Sequence, residues 1–358
     1  SVEVKRGAGG AMPLKKPMMA LTLDDDDEDD AGENMVAPDG RAPAGRSLRT
    51  QASYKLSDTM TFAQGGVVLR GSAGMVGDDG TQETDIELAD LHKVRQLGAG
   101  VSARVYLVEH RRTGEQFALK ELTAMADTDA RHMAVNELKI AHNAHCPHLI
   151  RFVDAFFNEG KISIVMELAD GGSLDDVIKR AGRIPEPPCQ GVGVSMLQGL
   201  QYLHRELHQV HRDIKPANVM IKAGVLKLSD FGISKQLEST AAFATTQVGT
   251  TVYMSPERML GEEHSYASDI WSVGLTVLEA YLGEMPFPIA GSFMEQVSLV
   301  VDGPAPAPPP GSSAEFEDFV AQCLQKDANL RGTVTELLSG PWLINADDGE
   351  FGRWLQTL

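Results

Sequence analysis

"HRDIKPANVM", residues 211–220, decides how the rest of the chain is read. It satisfies the pattern H-R-D-x-x-x-x-N at every fixed position, with His211, Arg212, Asp213 and Asn218. Seventeen residues after Asp213 stands "DFG", Asp230 to Gly232, reached through a hairpin-like "VMIKAGVLKL". Twenty-seven residues after Asp230, "SPE" closes at Glu257. Any one of these short strings can arise by chance. Together, in this order and at these spacings, they do not.

Working outward toward the N-terminus, "LHKVRQLGAG", "ARVYLVEH" and "EQFALKEL" read as short β-runs separated by turn residues, notably Thr113-Gly114. Gly98 and Gly100 fall at the end of the first run, where a missing Cβ lets backbone amides approach a phosphate. Read in isolation, such a pair marks only a tight turn. Lys120 follows twenty residues after Gly100, in an apolar strand where an unpaired cation is costly. Glu137, on a helix expected over about Asp127 to Ala144, is a natural partner. Two readings are open for this pair. One is a surface ion pair of little worth, the other a lysine held over the phosphates of a nucleotide. "LIRFVDAFF" and "ISIVME" are strand-like, and after "DGGS" the chain turns mainly helical. Val192, Met196, Leu200 and Leu203 keep one apolar face, while "DIWSVGLTVLEAYLG" (Asp269 to Gly283) is apolar nearly all round, as a central helix should be.

Taken together, these motifs resemble a protein kinase and select the second reading of Lys120. The resemblance implies an α+β, bilobal protein kinase fold with a β-rich N-lobe and a helical C-lobe. It implies ATP and Mg²⁺ as substrate and cofactor. Lys120, fixed by Glu137, would hold the α/β-phosphates, and Asp230 and Asn218 would supply hard oxygen ligands to Mg²⁺. Asp213 would accept the proton of the substrate hydroxyl, with Lys215 aimed at the γ-phosphate. Around the nucleotide would lie the Gly-rich loop (Leu97, Gly98, Ala99, Gly100, Val101, Ser102, Ala103, Arg104, Val105) and Ala118. The adenine-contacting hinge would be Met166, Glu167 and Leu168, with Met220 on the pocket floor. Ala103 stands where the usual pattern has its third glycine, which predicts a modest penalty in nucleotide affinity.

Within the kinases, the chain resembles the MAP kinase kinases over about residues 54–345, most closely their plant or algal type. The phrases "ISIVMELADGGSLDDVI", "ELKIAHNAHCPHLI", "VGTTVYMSPERMLG" and "CLQKDANLRGTVTELL" carry this, and the last contains Arg331, expected to pair with Glu257. The resemblance implies a dual-specificity enzyme. It would transfer phosphoryl from ATP to a Thr and a Tyr of a downstream MAP kinase and be switched on by an upstream MAP kinase kinase kinase. The implied location is the cytoplasm, with the nucleus as a second site.

Between DFG and SPE lies "STAAFATTQVGT" (239–250), with five Ser or Thr in twelve residues. Thr240 and Thr246 show the S/T-x5-S/T spacing of the plant-type activation loop, and Ser239 with Thr245 fit the same spacing one residue earlier. Moving a loop from mostly off to mostly on takes about 5.5 kcal/mol. One charge-assisted hydrogen bond gives roughly 1.5–3 kcal/mol, so two phosphates suffice where one is marginal. One of them would meet Arg212. The plainer alternative is that the hydroxyls only keep an exposed loop soluble.

The net charge of −18 owes seven negatives to one run, Asp24 to Asp30, which reads as a solvating segment. Nucleic acid is disfavoured as a partner, since no cluster of Lys and Arg matches a phosphate backbone. There is no secretory start and no apolar run long enough for a membrane span. Three scattered cysteines suggest a reducing compartment and no disulfide framework. Hydrophobic residues make up 42% of the chain, enough for a sizeable core.

The expected organisation has four parts. Residues 1–53 form a disordered arm and 54–90 a partly ordered extension, with "YKLSDTMTF" as its one packed stretch. Residues 91–343 form the kinase domain and 344–358 a tail. In the arm, Lys15 and Lys16, a four-residue spacer, then Leu21 and Leu23 resemble a MAP kinase docking motif. His142, His145, Cys146 and His148 fit no zinc spacing, and "PAPAPPP" (304–310) reads as a rigid connector. Two other readings compete: a serine/threonine kinase of the Ste20-like group, and a pseudokinase scaffold. Against the scaffold, Lys120, Asp213, Asn218 and Asp230 are all present.

Overall fold

The computed structural model describes residues 61–64, 67–70, 74–76, 84–100, 103–122, 138, 141–158, 161–231 and 251–358. All lie within the unit Ser53–Leu358. Lys15, Lys16, Leu21, Leu23, Val101, Ser102, Glu137, Ser239, Thr240, Thr245 and Thr246 lie outside the described residues.

Three short strands open the described chain: β1 (Thr61–Gln64), β2 (Val67–Arg70) and β3 (Gly74–Val76), paired antiparallel in that order. The extension expected to be partly ordered thus carries a small sheet at Thr61–Gln64, Val67–Arg70 and Gly74–Val76. Alternation too short to register as strand in the sequence becomes ordered here by pairing. The sheet meets β7 (defined below) at Gly74, whose φ is +74° and where a Cβ would strike the Asp154 carboxylate.

Next comes a five-stranded antiparallel sheet made of β4 (Leu91–Ala99), β5 (Ala103–His110), β6 (Gln116–Leu122), β7 (Phe152–Asn158) and β8 (Lys161–Glu167). Its spatial order is β4-β5-β6-β8-β7. Between β5 and β6, Gly114 takes φ +73° and its N–H closes the turn on His110 O, as the Thr113-Gly114 signal predicts. Strand alternation sorts the side chains onto two faces. Phe117, Leu119, Val153, Phe156 and Val165 build one small core with Leu91 and Val108. Leu122, Ile162, Ile164 and Ala155 face the other way and join the main core that continues into the helices. Lys120 falls between Ala118 and Leu122 in β6, so the same period turns it to this inner face.

Leu138 and Ala141–His142 are helical, and Asn143–Ala144 lie past the helix end, two residues short of the expected boundary. The helical lobe begins at α1 (Leu174–Ala181), where Ser173 and Asp176 form a reciprocal capping box. α2 (Glu186–Arg205) starts on prolines tolerated in a first turn and buries Val192, Met196, Leu200 and Leu203 as their spacing requires. The hairpin of β9 (Val219–Lys222) and β10 (Val225–Leu228) precedes α3 (Pro256–Met259). α4 (Tyr266–Leu282) is the buried central helix, capped by Ser265 and ended by Gly283 at φ +81°. α5 (Phe293–Val301), α6 (Ala314–Cys323), α7 (Val334–Ser339) and α8 (Glu350–Leu355) complete the lobe.

The proline-rich stretch is the irregular connector between α5 and α6, as expected. Residues 344–358, expected as a tail, end in α8, whose fully buried Phe351 packs against Gly191 of α2. Cys146, Cys189 and Cys323 are free thiols. Among the described residues, no cluster of three or more His, Cys, Asp or Glu side chains fit to hold a metal is found, and no helix is long and apolar enough to cross a membrane.

Candidate active site

The segment that opened the sequence reading lies between α2 and β9, under the inner face of the five-stranded sheet. Its backbone is shaped by one buried carboxylate. Asp269 of α4, 2% exposed, accepts from His211 N at 2.8 Å, Arg212 N at 2.9 Å and His204 Nε2 at 2.9 Å. Those bonds hold Arg212 at φ +72°, a left-handed conformation that costs a residue with a Cβ about 1–2 kcal/mol. In the sequence, Asp269 shows only as the first residue of an apolar helix. The available signal was an acid standing where burial was otherwise complete, which must be paired.

Asp213, Lys215 and Asn218 converge as expected. Lys215 Nζ donates to Asp213 Oδ2 at 2.9 Å, and Asn218 Nδ2 donates to Asp213 O at 2.7 Å and Oδ2 at 2.8 Å. Asn218 in turn accepts, through its carbonyl, from Ser229 N at 2.9 Å, so the residue before Asp230 is tied to this cluster. Asp230 takes φ +61°, and its Oδ1 accepts from Lys120 Nζ at 2.6 Å. Lys120 is 5% exposed and Asp230's side chain one-third exposed. A cation reached by one lobe's strand and a carboxylate carried by the other thus meet at one point.

Beside them a cleft of about 350 Å³ is lined by Lys120, Ile150, Ile164, Met166, Asp230 and Phe231, among others. It joins an apolar wall to a charged end. Above it, Gly100 N–H closes on Ala103 O at 2.8 Å, and a Cβ at Gly98 would meet nothing within 4 Å. Neither glycine is demanded by packing. An apolar slot, a lysine, a carboxylate, a carboxamide and backbone free of side chains fit a nucleotide triphosphate with a hard divalent cation. Asp213 faces a second cleft of about 320 Å³, whose wall includes Arg212, Tyr253, Ser255 and Arg258.

Other expected nucleotide residues take these places. Val105 pairs with Lys120 across β5–β6, and Ala118 with Met166 across β6–β8. Ala99 pairs with Arg104, while Leu97 is exposed at 39%. Leu168 follows β8 and is half-buried, and Met220 bridges to Ser173 at the start of α1. Ala103 is the first residue of β5, paired with Leu122 and only 8% exposed.

Glu167 sends its carboxylate elsewhere than to a base. It accepts from Arg151 N at 2.8 Å and pairs with Lys227 at 2.9 Å and Lys222 at 3.2 Å. Burial alone would raise its pKa, but these partners hold it below the usual carboxylate range. Neither lysine was singled out in the sequence, because a lysine in a short hairpin carries no signal of burial, although Lys227's side chain is only 12% exposed. Further along, Arg331 reaches Glu257 in the expected pair, bidentate at 2.7 and 2.6 Å, with its side chain fully buried.

Comparison with known proteins agrees with this geometry. The protein kinase domain family matches residues 91–343. The chain is 41% identical over 273 residues to mitogen-activated protein kinase kinase 2 of Arabidopsis thaliana, spanning 74% of this chain and 75% of that one. It is 36% identical over 332 residues to mitogen-activated protein kinase kinase 1c of the moss Physcomitrium patens, covering 89% and 96%. A third relative, the dual specificity mitogen-activated protein kinase kinase dSOR1 of Drosophila melanogaster, is 37% identical over 285 residues, 72% of each chain. An ATP-dependent phosphoryl-transfer site in a bilobal fold, matched across most of its length by such relatives, places this chain in the protein kinase family as a MAP kinase kinase.

Proposed function

We propose that the chain is a dual-specificity kinase that phosphorylates a Thr and a Tyr in a MAP kinase, drawing on ATP with Mg²⁺. The observation that carries the chemistry is the Lys215–Asp213–Asn218 cluster standing beside the Lys120–Asp230 pair. Bound Mg²⁺ supplies neutralisation of the charge that develops on the transferring phosphoryl.

Each side chain has one task. Lys120 binds the α/β-phosphates, and Glu137, which lies outside the described residues, is the residue expected from the family resemblance to fix it. Asp230 and Asn218 offer oxygen to the metal. Asp213 accepts the hydroxyl proton of the substrate, and Lys215, bonded to that carboxylate, lies in position to follow the γ-phosphoryl. Little covalent work is left for the protein, so rate comes from placement and preorganised charge. The hinge Met166–Leu168 and Met220 frame the base.

Activity is switched by an upstream MAP kinase kinase kinase through phosphorylation at Thr240 and Thr246. The arm Lys15–Lys16…Leu21–Leu23 docks the downstream MAP kinase, its cations meeting an acidic patch and its leucines a groove. The domain over 91–343 does the chemistry in the cytoplasm, preceded by the 1–53 arm and the 54–90 extension.

The test is a kinase assay on wild type, Thr240→Glu/Thr246→Glu and Asp213→Ala. Substrates are an inactive MAP kinase and a generic basic protein, with phosphosites read by mass spectrometry. Thr and Tyr labelling of the MAP kinase by the Glu variant, with Asp213→Ala silent, is expected. Labelling of serine and threonine on the generic protein alone would reassign the chain to an ordinary serine/threonine kinase.

A further inference from the structure

The hairpin of β9 and β10 is held from two sides, and only one of them belongs to the cleft. On the cleft side Glu167 pairs with Lys222 and Lys227, and the residues that follow it bond the hairpin's backbone. Ala223 N donates to Asp170 Oδ1 at 2.8 Å, Gly171 N to Ile221 O at 2.9 Å, and Ile221 N to Gly172 O at 2.9 Å. At the other end of β10, Leu228 O accepts from Ile150 N at 2.9 Å, and Ile150 lines the nucleotide cleft. The hairpin therefore sets where the hinge and part of the apolar wall stand. A two-stranded hairpin is marginal by itself in water, so support lost on one side is felt on the other.

The second side belongs to residues 344–358. Ala223 and Gly224 turn the hairpin at φ +49° and +81°, and Gly352 of α8 lies against that turn. A Cβ at Gly352 would stand 2.8 Å from Gly224 O, and one at Gly224 3.4 Å from Gly352 Cα. Gly224 is needed for its backbone conformation. Gly352 takes no left-handed φ and sits inside a helix, where glycine is unfavourable relative to alanine, so its use is the close approach itself.

Asp348 reaches the same strand through a side chain. Its carboxylate lies 3.6 Å from Nε2 of His148, whose Nδ1 lies 3.2 Å from Leu226 O. A carbonyl oxygen only accepts, so Nδ1 carries a proton. The segment is itself anchored, because the fully buried Phe351 packs where Gly191 of α2 leaves room for it.

We propose that residues 344–358 position the hinge for ATP. Gly352 and Asp348 brace β9–β10 against Glu167, Asp170 and Gly171, so affinity for the nucleotide depends on side chains that touch neither nucleotide nor substrate. Gly352, Asp348 and His148 are positioning residues. Their role rests on the reading of the cleft as a nucleotide site.

The full chain is prepared as wild type, Gly352→Ala, Asp348→Asn, Glu167→Gln and the Glu167→Gln/Gly352→Ala double variant. Arg353→Ala is the control, since Arg353 pairs with Asp347 and Glu350 of the same segment. ATP with Mg²⁺ is titrated by calorimetry, and its Michaelis constant and turnover are measured in parallel. Amide hydrogen exchange is followed over Asp170–Ser173 and Val219–Leu228. Gly352→Ala is expected to weaken ATP binding about fivefold, with turnover nearly unchanged and exchange faster in both segments. Arg353→Ala should behave as wild type. On the Glu167→Gln background, Gly352→Ala should add less than about twofold, because both act through one hairpin.

If Gly352→Ala lowers the melting temperature while ATP affinity and exchange at Asp170–Ser173 match wild type, the segment is only a structural brace and the proposal is overturned. Should Gly352→Ala not fold, Asp348→Asn carries the test, with a loss of affinity of about twofold expected and an unchanged value overturning the proposal. Wild type that binds no ATP sinks the nucleotide reading of the cleft and this role with it. Wild type that binds ATP, beside folded variants that bind it equally well, sinks this role alone.

Discussion

Lys120 Nζ and Asp230 Oδ1 lie 2.6 Å apart and join residues 110 positions distant in the chain. The lysine is buried while the carboxylate's side chain is one-third exposed. Water therefore softens the loss of the pair. Lys120→Met is expected to cost only about 1 kcal/mol of stability. Phosphoryl transfer should fall about 100-fold or more, as expected on removing a preorganised charge. Denaturant midpoint and turnover, measured together, check this. A large loss of stability with little loss of rate would show the pair to be structural.

Glu257 and Arg331 make the opposite case, since Arg331's side chain is fully buried. Arg331→Met leaves an unpaired acid and should cost about 3–5 kcal/mol. Burial alone would raise the Glu257 pKa, but the Arg331 hydrogen bonds outweigh it and bring it to about 2. A depressed carboxylate stabilises the fold above its unfolded pKa and loses that contribution as pH falls toward the folded value. The gap in stability between wild type and Arg331→Met should thus be full near neutrality and narrow as pH drops below about 4.5 toward 2. Urea midpoints across that range test it, and a gap independent of pH would rule out this linkage.

Glu167 ties the end of β8 to Arg151 and to the β9–β10 hairpin. Glu167→Gln keeps the shape but removes the charge that two lysines share. A loss of about 1–3 kcal/mol is expected, with the Michaelis constant for ATP rising more than turnover falls. Unchanged ATP kinetics would show that this network does not position the hinge.

Ala103→Gly tests whether the departure from the three-glycine pattern matters for nucleotide or for fold. With Ala103 paired to Leu122 and buried, the change should lower stability by about 0.5–1 kcal/mol and leave the ATP Michaelis constant within about twofold. Tighter ATP binding with unaltered stability would favour the loop reading.

Much was legible from the order of residues alone. The strings around Asp213, Asp230 and Glu257, the turn at Thr113-Gly114, and the apolar faces of α2 and α4 were all legible, because each is local. A turn needs its glycine, and a helix shows its buried face every three or four residues. The partner of Glu257 was also legible, through resemblance to a family. Which charges meet was settled by long-range packing. Asp269 organises His211 and Arg212 from 58 and 57 residues away, Lys222 and Lys227 turn out to hold Glu167, and Arg258 lines one cleft with Arg212. The sheet of β1, β2 and β3 and the burial of Phe351 belong to the same class. A long-range ion pair leaves no periodic trace in a sequence. Its free energy depends on how completely both partners are removed from water, and that is settled only when the lobes pack.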